Sequence, residues 1–367
     1  MIFTVQPHAN LIKEPGSQIP LGEFFSKRIL HLTLWDVDGV SHESWPMLKE
    51  KILNAVVSNS IELIVFDRTG EPGILNGPEN YAPNDLTIKS ELEQHCQCII
   101  VTDDFTYYYR PDPNVVFFPY NIWLPATRSI HKYYKFQRTV YDSTLEKTQP
   151  LMCLNRNLMW HRIFLFLSLK DKPWFNKIDY SFINTPDRMN VNFLKRDLTD
   201  FEIIQMQQHA ELFPISLDYE KTAHQVRIGY NDGATSVNAP VYSRNAINLV
   251  TETSLNHGIA LTEKTAKPFM AYQIPVLIAS SGTNQFLEDV GLDLFSDYVP
   301  WKTWDSTVDQ KVKINKIVEF LDQIMSTPDD ILTAHRSFHA RLIKNKQYFH
   351  SDKFAQVLTK QICNFKI

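Results

Sequence analysis

The sequence predicts an α/β protein of two domains, each built on a parallel sheet covered by helices. Three observations support this prediction. The chain has 367 residues, which is more than one hydrophobic core usually serves. Short apolar runs rich in β-branched residues alternate with helical patterns, which is typical of parallel strands joined by crossover helices. The alternation also occurs twice, with a polar stretch between its two occurrences.

The first alternation predicts an amino-terminal domain of residues 1–145. Its predicted strands are "ILHLTLW" (29–35), "IELIVFD" (61–67), "CIIVTDD" (98–104) and "VVFFPY" (115–120). The stretch "SWPMLKEKILNAVVSN" follows the first of these and carries apolar residues at helical spacing, namely Leu48, Ile52, Leu53 and Val56. Its Ser-x-Pro beginning is typical of a helix amino terminus, so this stretch is a predicted crossover helix.

A polar stretch from about residue 126 to Pro150 predicts the connection to a second domain, residues 146–335. The predicted strands of that domain are "LMCLN" (151–155), "IDYSFIN" (178–184), "INLVTE" (247–252) and "PVLIAS" (275–280). The stretch "HRIFLFLSLK" is apolar nearly all round, which predicts a helix buried within its domain. We expect the last helices, in residues 336–367, to pack back across the first domain.

Charge and cysteine content narrow the possible partners. With 37 Lys and Arg against 41 Asp and Glu, the formal net charge of −4 gives no broad electrostatic reason to bind nucleic acid or an anionic membrane. The cysteines Cys96, Cys98, Cys153 and Cys363 show no zinc-site spacing, which predicts buried thiols in a reducing compartment and no metal site. No run of about eighteen apolar residues occurs, so we expect a cytoplasmic protein without a transmembrane segment.

The segment 248–282 contains the strongest functional signal. Thr262 is a natural N-cap, so Glu263 and Lys264 fall in the first turn of a predicted helix. Free amides and the positive end of the helix dipole then face the carboxyl end of the preceding strand, where open α/β sheets bind phosphorylated ligands. The dipole disfavours a lysine there unless an anion is bound, and Pro268 should loosen the second turn. The alternative interpretation is an ordinary strand–helix–strand unit with solvated charges.

The same segment resembles a known family. "ETS" (252–254), "TEK" (262–264), "PVLI" (275–278) and Gly282 resemble, in order and spacing, the donor-site segment of the family 10 α-1,3-fucosyltransferases over about 35 residues. These are GT-B glycosyltransferases, and the resemblance implies two Rossmann-type domains that face a cleft. Thr253 departs from the pattern, because the family usually has Asn at that position.

The resemblance implies roles for the residues of this segment. Glu263 would bind the ribose hydroxyls of the donor nucleotide, and Lys264 would neutralise its diphosphate. Glu252 would lie near the donor sugar, and Thr262 would belong to the same donor-binding segment.

The stretch "CLNRNLMWHR" (153–162) is similar to the one that opens the donor-binding domain of that family. The resemblance implies that Asn155, Arg156 and Arg162 reach the donor diphosphate, which suits arginine because its fork forms paired bonds to phosphate oxygens. The alternative is a capped helix with surface arginines. We expect His161 to be packed rather than catalytic.

The general base for the transfer should be a carboxylate at the carboxyl end of a strand in the first domain. Glu71, which follows "LIVFDRTG", is the first candidate, and Asp103 and Asp67 come next. The segment 69–85 is rich in Gly, Pro and Asn, which is typical of a loop that contacts the acceptor or closes over it.

A competing signal lies in "TLWDVDGV" (33–40), which resembles the nucleophile motif of haloacid-dehalogenase-type phosphatases. Asp36 would then attack phosphate, Asp38 would act as acid and base, and magnesium would bridge them. The lysine and the late acidic pair of that family have no convincing strand context here. A turn with solvated aspartates is therefore the favoured interpretation of this stretch.

Together these features predict transfer of a sugar from a nucleoside-diphosphate sugar to a hydroxyl. The resemblance suggests fucose, with another hexose or a pentose as the alternative, and it implies inversion. Fixed cations and a helix terminus can stabilise the departing diphosphate, so we expect no cofactor or essential metal beyond the donor. A glycan is the expected acceptor, and a modified base of nucleic acid is an alternative acceptor. An alternative to an enzyme is a non-catalytic module that binds nucleotide sugars or glycans. We expect a bacterial or viral origin rather than the eukaryotic Golgi, because the membrane anchor of the Golgi enzymes is missing.

Overall fold

The computed structural model describes residues 4–6, 29–33, 45–68, 85–102, 115–118, 122, 146–155, 158–182, 194–195, 197–213, 215, 239–253, 255 and 261–364. The chain forms two compact units, an amino-terminal unit (Met1–Trp123, His257–Ala260 and Gln356–Ile367) and a carboxy-terminal unit (Leu124–Asn256 and Leu261–Ala355). The domain limits predicted after residues 145 and 335 stay predictions.

The described part of the amino-terminal unit is a five-stranded sheet with helices. The strands are β1 (Thr4–Gln6), β2 (Ile29–Thr33), β3 (Leu63–Arg68), β4 (Gln97–Thr102) and β5 (Val115–Phe117), in that spatial order. β1 pairs antiparallel with β2, and all other neighbours are parallel. The helices of this part are α1 (Trp45–Ser58), α2 (Asp85–Leu92) and the end of the last helix of the chain, from Gln356.

The core of this unit confirms the predicted crossover helix. Ile52 and Val56 of α1 are buried in one apolar cluster with Leu30, Ile64 and Phe66 of the sheet. The periodic apolar face of α1 therefore covers β2 and β3, as crossover helices do in parallel sheets. Leu53 packs against the same cluster and is partly buried.

The carboxy-terminal unit contains a four-stranded, fully parallel sheet in the order β7-β6-β8-β9. The strands are β6 (Gln149–Asn155), β7 (Asp179–Phe182), β8 (Asn245–Thr251) and β9 (Ile274–Ile278). Every residue of β8 and β9 is buried, as expected for strands that helices cover. The α/β class predicted from the sequence is confirmed, and the eight predicted strands form parallel pairs; the antiparallel β1 was not predicted.

The helices described next complete the carboxy-terminal part of the chain. They are α3 (Trp160–Leu169), α4 (Asp200–Gln208), α5 (Ala239–Arg244), α6 (Glu263–Met270), α7 (Thr283–Asp289), α8 (Lys302–Asp305), α9 (Gln310–Met325), α10 (Pro328–Ser337), α11 (His339–Phe349) and α12 (Asp352–Asn364). α6 packs against β8 and β9, and α10 packs against β6 and β8. In the part of the chain that the structure describes, no helix combines the length and apolarity that crossing a bilayer requires.

Three cysteines are buried free thiols, as predicted, namely Cys96, Cys98 and Cys153. Burial raises the pKa of Cys98 and of Cys153 to about 12, so both thiols are protonated at neutral pH. The side chain of Cys363 lies outside the described residues.

Candidate functional site

The candidate site lies where β8 ends and α6 begins. Thr262 has extended backbone angles (φ −111°, ψ −178°), and its hydroxyl accepts a hydrogen bond from the Lys264 amide at 3.3 Å. The predicted N-cap is therefore confirmed, and Glu263 and Lys264 occupy the first turn of α6. The helix continues through Pro268 and ends at Met270, shortly before Tyr272 takes a positive φ of 52°.

The first-turn amides are less available than the sequence predicts. The Lys264 amide donates to the Thr262 hydroxyl, and the Thr265 amide donates to the Thr262 carbonyl at 3.2 Å. The threonine cap therefore uses two amides that we expected to face a ligand. The positive end of the helix dipole remains, because it arises from the aligned peptide groups of the whole helix.

Glu252 follows β8 directly, and its side chain is completely buried. Its Oε1 accepts from the Thr262 amide at 3.0 Å and from the Thr265 hydroxyl. Its Oε2 accepts from the Thr262 hydroxyl at 2.7 Å and from the Thr253 amide at 3.3 Å. We call these four residues the Glu252 cluster; it joins the end of β8 to the first turn of α6.

Lys264 completes this arrangement with a positive charge. Its ammonium donates to the Thr262 hydroxyl at 3.1 Å and to the Thr253 hydroxyl at 3.2 Å. The ammonium is half-buried and lies beside the positive end of α6. The Lys264 ammonium and the positive end of α6 therefore lie together at the carboxyl end of β8, beside the buried Glu252 carboxylate. The backbone of Glu263 lies in the same turn, but its side chain is outside the described residues.

Arg162 and His161, in the first turn of α3, point inward to the end of β8. Arg162 is buried, and its NH2 group donates to the carbonyls of Thr251 at 3.2 Å and Glu252 at 3.5 Å. His161 Nε2 lies 2.9 Å from the Glu252 carbonyl, which can only accept, so Nε2 carries the proton. Burial, reinforced by the charge of Arg162, lowers the pKa of His161 to about 3. His161 is thus neutral and packed, as predicted.

Asn155, at the end of β6, is also buried at this edge of the sheet. Its Oδ1 accepts from the Thr251 hydroxyl, and its Nδ2 donates to Cys153 Sγ at 3.3 Å and to the Tyr180 hydroxyl at 3.5 Å. The structure therefore brings Asn155 and Arg162 to the edge that holds Glu252, with these polar atoms bound to protein groups. Their contact with a donor diphosphate stays a prediction.

Several predicted site residues lie outside the described residues, namely Arg156, Glu71, Asp103, Asp36 and Asp38, together with most of the predicted acceptor loop. The backbone of Asp67 is described. It pairs with Thr33 and Val101 near the carboxyl end of β3, the place that we predicted for a general base. The choice among Glu71, Asp103 and Asp67 stays a prediction.

Two further polar residues near the strand ends, Thr265 and Lys313, were not predicted from the sequence. Thr265 is completely buried within the first turn of α6. Lys313 of α9 is buried too, and its ammonium donates to the Ala279 carbonyl at 2.9 Å and to Ser281 Oγ at 3.3 Å, in the turn after β9. Burial lowers the pKa of Lys313 to about 8. The helical period indicated this position, because Lys313 precedes the buried Ile317 by one turn.

No protein-family model matches the chain, and no curated protein matches it. Among solved structures, the chain is similar to a UDP-forming α,α-trehalose-phosphate synthase from Burkholderia xenovorans. The two are 11% identical, the match covers 92% of this chain and 73% of that chain, and the TM-score is 0.40. We infer no activity from a similarity at this level, and none of these findings confirms the resemblance to the family 10 fucosyltransferases.

Proposed function

We propose that this protein is a glycosyltransferase that moves a sugar from a nucleoside-diphosphate sugar to a hydroxyl group. One observation carries the proposal. The Lys264 ammonium lies in the first turn of α6, against the hydroxyls of Thr253 and Thr262, at the carboxyl end of a parallel strand. In open α/β sheets this edge is where phosphorylated ligands bind.

A diphosphate suits this position for electrostatic reasons. A lysine in a first turn is destabilised by the helix dipole, and an anion placed beside it is attracted by both. The resemblance adds Glu263 as the group that binds the ribose, Glu252 as a residue near the donor sugar, and Asn155, Arg156 and Arg162 as further donor-site residues. Fucose is the sugar that the resemblance suggests.

The chemistry follows from where charge develops. As the bond between the sugar and the diphosphate breaks, negative charge grows on the departing diphosphate, and Lys264 stabilises it in place. A carboxylate removes the proton of the attacking hydroxyl, and Glu71, Asp103 and Asp67 are the candidates in that order. Fixed cations perform this stabilisation without a metal, so we expect turnover in the presence of a chelator.

The test is a calorimetric titration of wild type, Lys264→Ala and Lys344→Ala with GDP, UDP, ADP and CDP. Lys344 is an exposed lysine of α11 and serves as the matched control. We expect one nucleotide to bind wild type and Lys344→Ala equally, and Lys264→Ala to bind it about tenfold more weakly or worse, since a charge-assisted bond is lost.

Two outcomes would overturn the proposal. If wild type binds no nucleoside diphosphate, the site is not a donor site. Magnesium-dependent hydrolysis of a phosphomonoester that Asp36→Asn abolishes and Lys264→Ala spares would instead establish the phosphatase interpretation.

A further inference from the structure

The Glu252 carboxylate has no acceptor capacity left for a ligand. A carboxylate offers about four lone-pair sites, two on each oxygen. Each oxygen of Glu252 already accepts two hydrogen bonds, from the amides of Thr253 and Thr262 and the hydroxyls of Thr262 and Thr265. A sugar hydroxyl would have to displace one of these donors. The geometry therefore points to a carboxylate that acts through its protein partners.

Those partners belong to two segments that the site must hold together. Thr253 follows the end of β8, whereas Thr262 and Thr265 belong to the start of α6. A buried charge is costly unless hydrogen bonds satisfy it, so separating the two segments would leave Glu252 partly unsatisfied. The carboxylate thus fixes the first turn of α6 relative to the end of β8.

The Glu252 cluster also positions the Lys264 ammonium. The Thr262 hydroxyl donates to Glu252 Oε2 and accepts from the Lys264 ammonium. The direction of its proton is therefore determined by the carboxylate, and its lone pairs are presented to the lysine. Thr265 holds the other carboxylate oxygen, which keeps Glu252 in the orientation that this relay needs.

We propose that Glu252 and Thr265 are positioning residues of the nucleotide site, which place the Lys264 ammonium through the hydroxyl of Thr262. This inference rests on the proposed function. Thr265 orients the Glu252 carboxylate, and Glu252 affects ligand binding through the position of the Lys264 ammonium.

The experiment compares Thr265→Val, Thr265→Ser and Thr283→Val. Valine keeps the shape of threonine and removes the hydroxyl, whereas serine keeps the hydroxyl. Thr283 is the matched control, because it is also completely buried in the first turn of a helix, α7, and its hydroxyl has no hydrogen-bond partner among the described residues. The measured quantities are the dissociation constant of the nucleoside diphosphate and the thermal midpoint.

We expect Thr265→Val to weaken nucleotide binding by about threefold to tenfold, and Thr265→Ser to bind within about twofold of wild type. Thr283→Val should bind as wild type does. The decisive readout is Thr265→Val in the Lys264→Ala background, where the further loss of affinity should disappear because the residue acts through Lys264. A purely structural role would give the same loss in both backgrounds, and that result would overturn the inference.

The outcomes separate this inference from the proposed function. Normal nucleotide binding by wild type and by Thr265→Val overturns the inference alone. Absence of nucleotide binding by wild type overturns the proposed function, and the inference fails with it. If Thr265→Val does not fold, Thr262→Val replaces it, since this change cuts the same relay at a half-buried residue. Nucleotide binding by Thr262→Val with and without Lys264→Ala then tests whether the loss of affinity depends on Lys264.

Discussion

At the scale of single residues, the buried polar groups at the end of β8 form hydrogen bonds with other groups of the protein. His161 and Arg162 both donate to the Glu252 carbonyl, and Asn155 accepts from the Thr251 hydroxyl. These buried bonds stabilise the strand end because an unsatisfied polar group in the interior costs about 1–3 kcal/mol. The burial of His161 also makes stability sensitive to pH.

The first prediction concerns His161. Its pKa is lowered to about 3 in the folded protein, below the ordinary 6.5, so between these values the unfolded chain binds more protons. Stability therefore falls as the pH falls through this window, by about 1.4 kcal/mol per pH unit. Glutamine can donate the same bond but does not titrate, so the unfolding free energy of His161→Gln should fall less steeply between about pH 6 and about pH 4.

Urea denaturation at several pH values measures this difference. His209→Gln is the control, because His209 caps the end of α4 and has no contact with Glu252 among the described residues. Parallel pH profiles for wild type and His161→Gln would show that His161 is not the group that charges on acidification.

At the scale of elements, three helices of the carboxy-terminal unit show two ways of capping a helix start. α6 and α9 begin with their own capping side chains, Thr262 and Asp309. α7 begins after Gly282, which has a φ of 85° and no side chain to offer. Its cap comes from α8 instead, where the side chain of the buried Asp305 accepts hydrogen bonds from first-turn amides of α7. A carboxylate of the protein therefore lies at the positive end of both helices, Asp305 at α7 and Glu252 at α6, but α6 also carries a lysine in its first turn.

The second prediction tests this remote cap. Asp305 accepts from the amides of Asn284 and Gln285, each at 3.1 Å, and from Asn284 Nδ2 at 2.9 Å. Asp305→Asn turns one acceptor oxygen into a donor that faces other donors, so we expect a loss of about 2 kcal/mol in the free energy of unfolding. Asp352→Asn, at an exposed carboxylate in the first turn of α12, should cost less than about 0.5 kcal/mol. Equal losses in the two variants would contradict this role for Asp305.

The third prediction, also at this scale, concerns Lys313, which holds the turn after β9. Its folded pKa of about 8 lies below the ordinary 10.5, so the unfolded chain binds more protons between these values and stability rises with pH there. Burial also lowers the pKa of Lys147 to about 7 and that of Lys346 to about 8, so both contribute to the same rise. Lys313→Met keeps the length of the side chain and should make the rise less steep, which unfolding free energies at pH values of about 8 and about 10 measure. An equally steep rise in Lys313→Met would contradict the contribution of Lys313.

At the scale of the whole molecule, each unit has its own sheet and its own buried residues. In the carboxy-terminal unit, an aromatic cluster on one side of the sheet centres on Phe166 of α3. Its ring lies 5.2 Å from Phe213 and 6.0 Å from Tyr180, measured between centroids. Phe166 belongs to the apolar helix predicted from "HRIFLFLSLK", so that helix contributes the central ring of the cluster.

The fourth prediction compares two phenylalanines of this unit. Phe166 is fully buried, so Phe166→Ala should cost about 3–5 kcal/mol of unfolding free energy. Phe201 of α4 is 67% exposed, and Phe201→Ala should change it by about 0.5 kcal/mol or less. Thermal and denaturant unfolding of both variants measure the difference. A small effect of Phe166→Ala would mean that the aromatic cluster collapses around the cavity.

The sequence by itself determined features that depend on neighbouring residues. Periodic apolar positions in α1 and the nearly all-apolar stretch of α3 identified these two helices, and short apolar runs identified β2 to β9. The N-cap at Thr262 was predictable for the same reason, since its hydroxyl bonds an amide two residues away. Local sterics and hydrogen bonding decide such features, and they are written in consecutive residues.

Only the tertiary structure decided which polar atoms are already occupied. Glu252 and Thr265 are 13 residues apart, and Arg162 lies 89 residues from the Thr251 carbonyl that it binds. The sequence supplied the residue types, whereas the packing of α3 and α6 on β8 turned Arg162 inward and left Lys264 half-buried at the surface of the site. The reason is physical: a hydrogen bond forms only between atoms that the fold brings within about 3 Å, and that proximity depends on how the elements pack.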